Sequence, residues 1–101
     1  MKGVIIVSRH EGLLDWLRNH YPELMEGAEI IPHASTEDVC GKVVVGNLPL
    51  QLAAEAKAIY TPVYDVPPEL RGKELTMEDL EALGCHLEGF RVARTRVVLE
   101  Y

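Results

Sequence analysis

Two short runs of β-branched residues constrain this chain most: KGVIIVS at 2–8 and KVVVG at 42–46. Both are almost continuously apolar. A strand with one wet face alternates apolar and polar residues, whereas a strand covered on both faces does not. The two runs therefore read as strands of a parallel sheet with helices on either side. Each leads into a turn and then a helical pattern. After the first, Leu13, Leu14, Trp16 and Leu17 fall on one face of a helix over 11–19, although Gly12 weakens its first turn. After the second, Gly46, Asn47 and Pro49 make a sharp turn. A helix over 49–58 then opens on Pro49, whose missing N–H would be unpaired in a first turn anyway.

The remaining segments complete an alternating order. Residues 28–32 read as a short strand and 33–41 as a polar loop. Residues 59–64 read as a strand placed at the periphery, because Pro62 cannot donate to a ladder. Residues 65–73 form a proline-containing loop. Thr76 and Asp79 make a capping box for a short helix that Gly84 stops. The stretch 85–101 holds one or two strands. The order β-α-β-β-α-β-α-β predicts a small Rossmann-like three-layer α/β sandwich with a mostly parallel sheet. At 101 residues it is expected to be one domain over 1–101, and 48% apolar content supports a packed core.

Charge narrows the function classes. Ten basic residues against sixteen acidic ones give a formal net charge of −6, which argues against coating duplex DNA. A local cluster of Arg and backbone N–H groups could still hold an anion. The apolar runs fall short of a membrane span, which needs about 20 residues, and the start lacks the pattern of a signal peptide. A cytoplasmic protein is expected. Cys40 and Cys85 are too few for a disulfide scaffold, and their spacing is not a zinc pattern.

In open α/β sheets, ligands sit beyond the carboxyl ends of the strands. That rule selects Ser8-Arg9-His10 after the first strand and Gly46-Asn47-Leu48-Pro49 after the second. If the strands are neighbours, the two segments share one rim. Arg9 offers a planar, permanently charged fork for phosphate, and His10 a proton acceptor or donor near neutral pH. Ser8 offers a hydroxyl to a phosphate or to the helix end. Gly46 permits close backbone approach, Asn47 can orient a hydroxyl, and the following helix N-terminus suits an anion. The bland alternatives are a polar turn with Ser8 or His10 as cap, and a tight turn capped by Asn47.

Other candidates are weaker. Arg71-Gly72 lies on a loop stiffened by Pro67 and Pro68, but Glu69 and Glu74 could simply pair with Arg71. Arg91, Arg94 and Arg96 read as the solvated edge of a strand. His20, His33 and His86 show no metal-ligand spacing, so neither metal nor cofactor is expected. His33 could line a pocket. Trp16 reads as helix core.

Three blocks now carry a resemblance. Ser8-Arg9-His10 with Gly12 and Trp16 opens the pattern. Gly46, Leu48 and Pro49, followed by Leu52-Ala53-Ala54-Glu55, continue it. Pro68, Arg71, Gly72, Glu74 and Leu75, then Leu80, Glu81, Leu83 and Gly84, close it. In order and spacing the chain resembles the small stand-alone CRISPR-associated proteins of type III systems related to CARF domains, the group assigned as ring nucleases. The resemblance spans about residues 4–92. It implies a CARF-like domain in a homodimer, with a cyclic oligoadenylate, most often cyclic tetra-adenylate, held at the dimer interface. It implies metal-independent cleavage by a ribose 2′-hydroxyl, leaving linear di-adenylate with a 2′,3′-cyclic phosphate and switching off antiviral signalling. Carried onto this chain, Ser8, Arg9, His10 and Asn47 form the catalytic set. Gly46, Leu48, Pro49, Gln51 and Arg71 form the ligand-binding set.

Three other readings compete. A non-catalytic sensor or sponge would bind the same messenger and release it intact. A histidine phosphatase would also place Arg-His after a first strand, but it usually carries Gly where Glu11 stands. A structural subunit would dock on a protein partner through an apolar patch.

Overall fold

The computed structural model describes residues 3–95. Five strands form one sheet: β1 (Val4–Val7), β2 (Glu29–Ile31), β3 (Val43–Gly46), β4 (Ala58–Val63) and β5 (His86–Phe90). Their spatial order is β2-β1-β3-β4-β5. The first four are parallel and β5 runs antiparallel to β4. The helices are α1 (Glu11–His20), α2 (Pro22–Met25), α3 (Thr36–Val39), α4 (Leu50–Ala53) and α5 (Met77–Ala82), with a 3-10 turn at Pro68–Leu70. The architecture is the expected small, mostly parallel Rossmann-like sandwich.

The two apolar runs are the neighbouring central strands, with Val4 opposite Val43 and Val7 opposite Gly46. Their residues split by parity between two faces. Val4, Ile6 and Val45 join Leu14, Trp16, Leu17 and Leu80 in one core cluster. Trp16 is only 2% exposed, as its place on the helix face requires. Ile5, Val44 and Ile59 lie on the opposite face and are buried, as are Val39 of α3 and Ala53 of α4. α1 packs with α5, and α3 with α4.

Gly12 and Gly46 each permit a close approach that no other residue could. A Cβ on Gly12 would overlap the backbone carbonyl of Leu75, so α1 lies directly against the segment entering α5. Gly46 has φ 137° and faces the carbonyl of Val7, which draws the ends of β3 and β1 together.

Several expectations are corrected. The helix over 49–58 is a single turn, Leu50–Ala53. Beyond it the chain is captured by the start of β3: Gly41 N–H donates to Glu55 and Lys57 N–H to the Lys42 carbonyl. That lets β4 begin at Ala58, in register with Val43, and the pairing overrides the helix-forming residues. The loop over 33–41 contains α3, opened by a capping box between Ser35 and Asp38. An extra turn, α2, precedes β2. The strand with Pro62 is not peripheral, since it lies between β3 and β5. Its pairing with β3 stops at Tyr60, so Pro62 stands opposite Leu87 of β5 and its missing N–H costs no bond to β3. Finally, Arg91 and Arg94 lie past the end of β5 rather than on a strand, and Arg96 lies outside the described residues.

Candidate functional site

The carboxyl ends of all four parallel strands open onto one cleft of about 1010 Å³. β1 contributes Ser8, Arg9 and His10; β2 contributes Pro32 and His33; β3 contributes Asn47, Leu48 and Pro49; β4 contributes Tyr64 and Asp65. The segment before α5 closes one side with Arg71, Lys73 and Glu74. The cleft lies where β1 and β3 are adjacent but lead to helices on opposite faces of the sheet. This is the switch point at which such folds bind ligands.

Of the residues singled out from sequence, Ser8, Arg9, His10, Asn47, Leu48, Pro49 and Arg71 line this cleft together. Gly46 and Gln51 do not. Gly46 is buried at the end of β3 and acts through its backbone. Gln51 is exposed on α4, where its carbonyl accepts from Arg94, 3.0 Å away, and Arg94 also pairs with Glu55 at 2.9 Å. The anion site expected at the N-terminus of the second helix also falls away, because a single turn sums too few peptide dipoles.

Local bonds fix the rim. Ser8 N–H donates to the Ile31 carbonyl at 3.0 Å, tying the end of β1 to β2. Ser8 Oγ accepts from the His10 N–H at 3.1 Å and so turns the chain into α1. His10 Nδ1 lies 2.8 Å from Glu74 Oε1, across 64 positions of sequence. Asn47 Oδ1 accepts from the Thr61 hydroxyl of β4 at 2.5 Å. With Oδ1 receiving the Thr61 hydroxyl, the amide is held in place and its two N–H groups remain to donate. The Arg71 Nε donates to the Val66 carbonyl at 3.5 Å, and Arg71 makes no carboxylate pair among the described residues. Glu74, expected as one of its possible partners, is turned to His10 instead.

The local charge opposes the charge of the whole chain. Arg9, Arg71 and Lys73 face the cleft against Asp65 and Glu74, so it is net positive on a molecule of formal charge −6. Burial raises the Tyr64 phenol, with Cys85 adding to the effect, which keeps Tyr64 a neutral hydroxyl donor in the cleft wall. Lys73, Tyr64 and Asp65 carried no signal in sequence. Glu74 did, as a position in the closing block, but a 64-residue separation hides its partner.

A family model described as "Putative CRISPR-associated protein (Cas_VVA1548)" matches residues 5–93. No curated protein and no solved structure matches the chain.

Proposed function

The chain belongs to that CRISPR-associated family, and from this premise we propose that it is a ring nuclease that cleaves cyclic tetra-adenylate without metal, acting as a homodimer in the cytoplasm. The observation that carries the reading is the convergence of Arg9, His10 and Asn47 on one positively charged cleft at the sheet's switch point. An acidic chain that concentrates Arg9, Arg71 and Lys73 in one cleft is suited to a compact polyanion rather than to duplex DNA.

The reaction needs little from the protein beyond alignment and charge. The 2′-hydroxyl of one nucleotide loses its proton to His10 Nε2 and its oxygen bonds to the adjacent phosphorus. The P–O5′ bond breaks, and the 5′ oxygen takes up a proton from the imidazolium or from solvent. Two such events turn one ring into two linear di-adenylates, each ending in a 2′,3′-cyclic phosphate, with no water consumed. Alignment in line with the leaving oxygen can supply up to about 7–11 kcal/mol. Proton transfer by a positioned imidazole adds about 10²–10⁴-fold. Arg9, Arg71 and the Asn47 amide N–H groups supply donors for charge that grows on the phosphoryl oxygens.

A two-fold dimer would present two identical rims to a ring with internal symmetry. Leu50 is 74% exposed, one residue past the Pro49 of the cleft, and offers apolar surface that such a contact would cover.

The test is incubation with cyclic tetra-adenylate in excess chelator, with products resolved by chromatography and mass spectrometry. Linear di-adenylate with a cyclic phosphate end is expected. An intact ring that co-elutes with the protein would replace the enzyme by a sensor or sponge. An intact ring that does not bind would overturn the ligand as well.

A further inference from the structure

We infer that Glu74 is a positioning residue: its carboxylate accepts the Nδ1–H of His10 and so holds the imidazole in the tautomer whose Nε2 lone pair is free in the cleft. The catalytic consequence rests on the function proposed above; the hold on the ring does not.

The geometry is specific. His10 Nδ1 and Glu74 Oε1 are 2.8 Å apart, a charge-assisted hydrogen-bond distance. A carboxylate only accepts, so the proton of a neutral imidazole must sit on Nδ1 and leave Nε2 as the base. Both side chains remain accessible, 57% and 67% exposed, as residues meeting a ligand must be.

The pair is not needed to start α1. Ser8 Oγ already receives the His10 N–H, and the His10 carbonyl already accepts from Leu14 N–H. Nor is it needed to hold the two segments together. Gly12 seats α1 against the Leu75 backbone, and Leu75 packs on the core cluster. These contacts set the distance between residue 10 and residue 74. The carboxylate then has one effect left to account for, the orientation and protonation of the ring. Apart from Glu74, the titratable or charged groups sharing the cleft with His10 are Arg9, His33, Tyr64, Asp65, Arg71 and Lys73.

The decisive measurement does not depend on activity. Long-range ¹H–¹⁵N correlation spectra of the labelled protein above neutral pH distinguish the two imidazole tautomers. His10 is expected as the Nδ1–H form in the wild type and as predominantly Nε2–H in Glu74→Ala. Glu74→Gln, which keeps an acceptor oxygen and loses the charge, is expected between them. Single-turnover cleavage of cyclic tetra-adenylate should fall at least about tenfold in Glu74→Ala, with ring affinity unchanged within about threefold. An Nε2–H tautomer in the wild type overturns the inference, as does a tautomer that Glu74→Ala leaves unaltered. A wild-type protein that shows the expected tautomers but leaves the ring intact would sink the ring-nuclease reading while sustaining the hold of Glu74 on His10.

Discussion

Gly12 of α1 and Leu75, at the entrance to α5, meet backbone to backbone, so that a side chain on Gly12 would occupy the space of the Leu75 carbonyl oxygen. This contact brings the rim segment 8–10 beside the segment 71–74, and it converts two distant stretches of sequence into one cleft. Glycine at this position weakens the helix by about 1 kcal/mol relative to alanine, and the contact with Leu75 leaves no room for a Cβ.

Gly12→Ala is therefore expected to destabilise the fold despite the better helix propensity of Ala, because the overlap is with backbone that cannot rotate away. A net loss of about 1–3 kcal/mol is expected, read as a drop of several degrees in Tm. An unchanged or raised Tm in thermal denaturation would mean that α1 and the Leu75 segment are free to part.

Arg9→Ala is expected to weaken ring binding and turnover together, since Arg9 faces the cleft without a carboxylate partner among the described residues. Loss of one charge-assisted bond corresponds to about 1.5–3 kcal/mol, roughly 10- to 150-fold in affinity. Titration of the ring against wild type and variant at two salt concentrations checks it. Equal affinities would place Arg9 outside the binding surface.

Asn47 is held by Thr61, so the two substitutions Asn47→Asp and Thr61→Val should separate charge from orientation. Asn47→Asp puts a carboxylate where donors face the phosphates and is expected to cut affinity at least about tenfold. Thr61→Val leaves the amide free to turn and is expected to lower the cleavage rate more than the affinity. Single-turnover rates and equilibrium titration of both variants give the comparison, and a Thr61→Val rate equal to wild type would remove orientation from the account.

The two thiols should differ in reactivity. Cys40 is exposed, whereas burial, with the Glu81 carboxylate adding to it, pushes the Cys85 thiol up to about 11. The thiolate is the reactive form. Iodoacetamide near pH 8 is expected to label Cys40 and leave Cys85 untouched, as read by peptide mass spectrometry. Equal labelling would show that the partial burial of Cys85 does not protect it.

Stability should fall at both ends of the pH range for different reasons. The Glu88 carboxylate, then the Gly84 carbonyl, raise His86 above 6.5. A raised histidine stabilises fully below its unfolded value and loses that contribution as pH rises through the folded one. The backbone N–H of Ser35, then its hydroxyl, lower Asp38 below 3.8, so its contribution is present above that value and lost as pH falls. Urea midpoints should show Glu88→Gln differing from wild type below about pH 6.5 and converging with it in mild alkali. A constant difference across that range would assign the effect to packing.

Sequence by itself determined the parts of this protein that depend on neighbouring residues. The unbroken apolar runs at 4–7 and 43–46 dictate buried parallel strands, because only a sheet covered on both faces uses such residues. The box of Thr76 and Asp79 begins α5, since each side chain bonds the other's backbone within one turn. The same box at Ser35 and Asp38 opens α3, although the polar run 33–41 reads as a loop in sequence. The carboxyl-end rule located Arg9, His10 and Asn47. Tertiary structure decided the rest. It cut the helix after Pro49 to one turn, because Gly41 and Lys42 claim the backbone groups that a longer helix would use. It put Gly46 and Gln51 out of the cleft and brought Lys73 in. It joined Glu74 to His10, an outcome that no local pattern encodes. Local propensity acts over a few residues, whereas the cleft is set by the register of β1 against β3 and by the seat of Gly12 on Leu75.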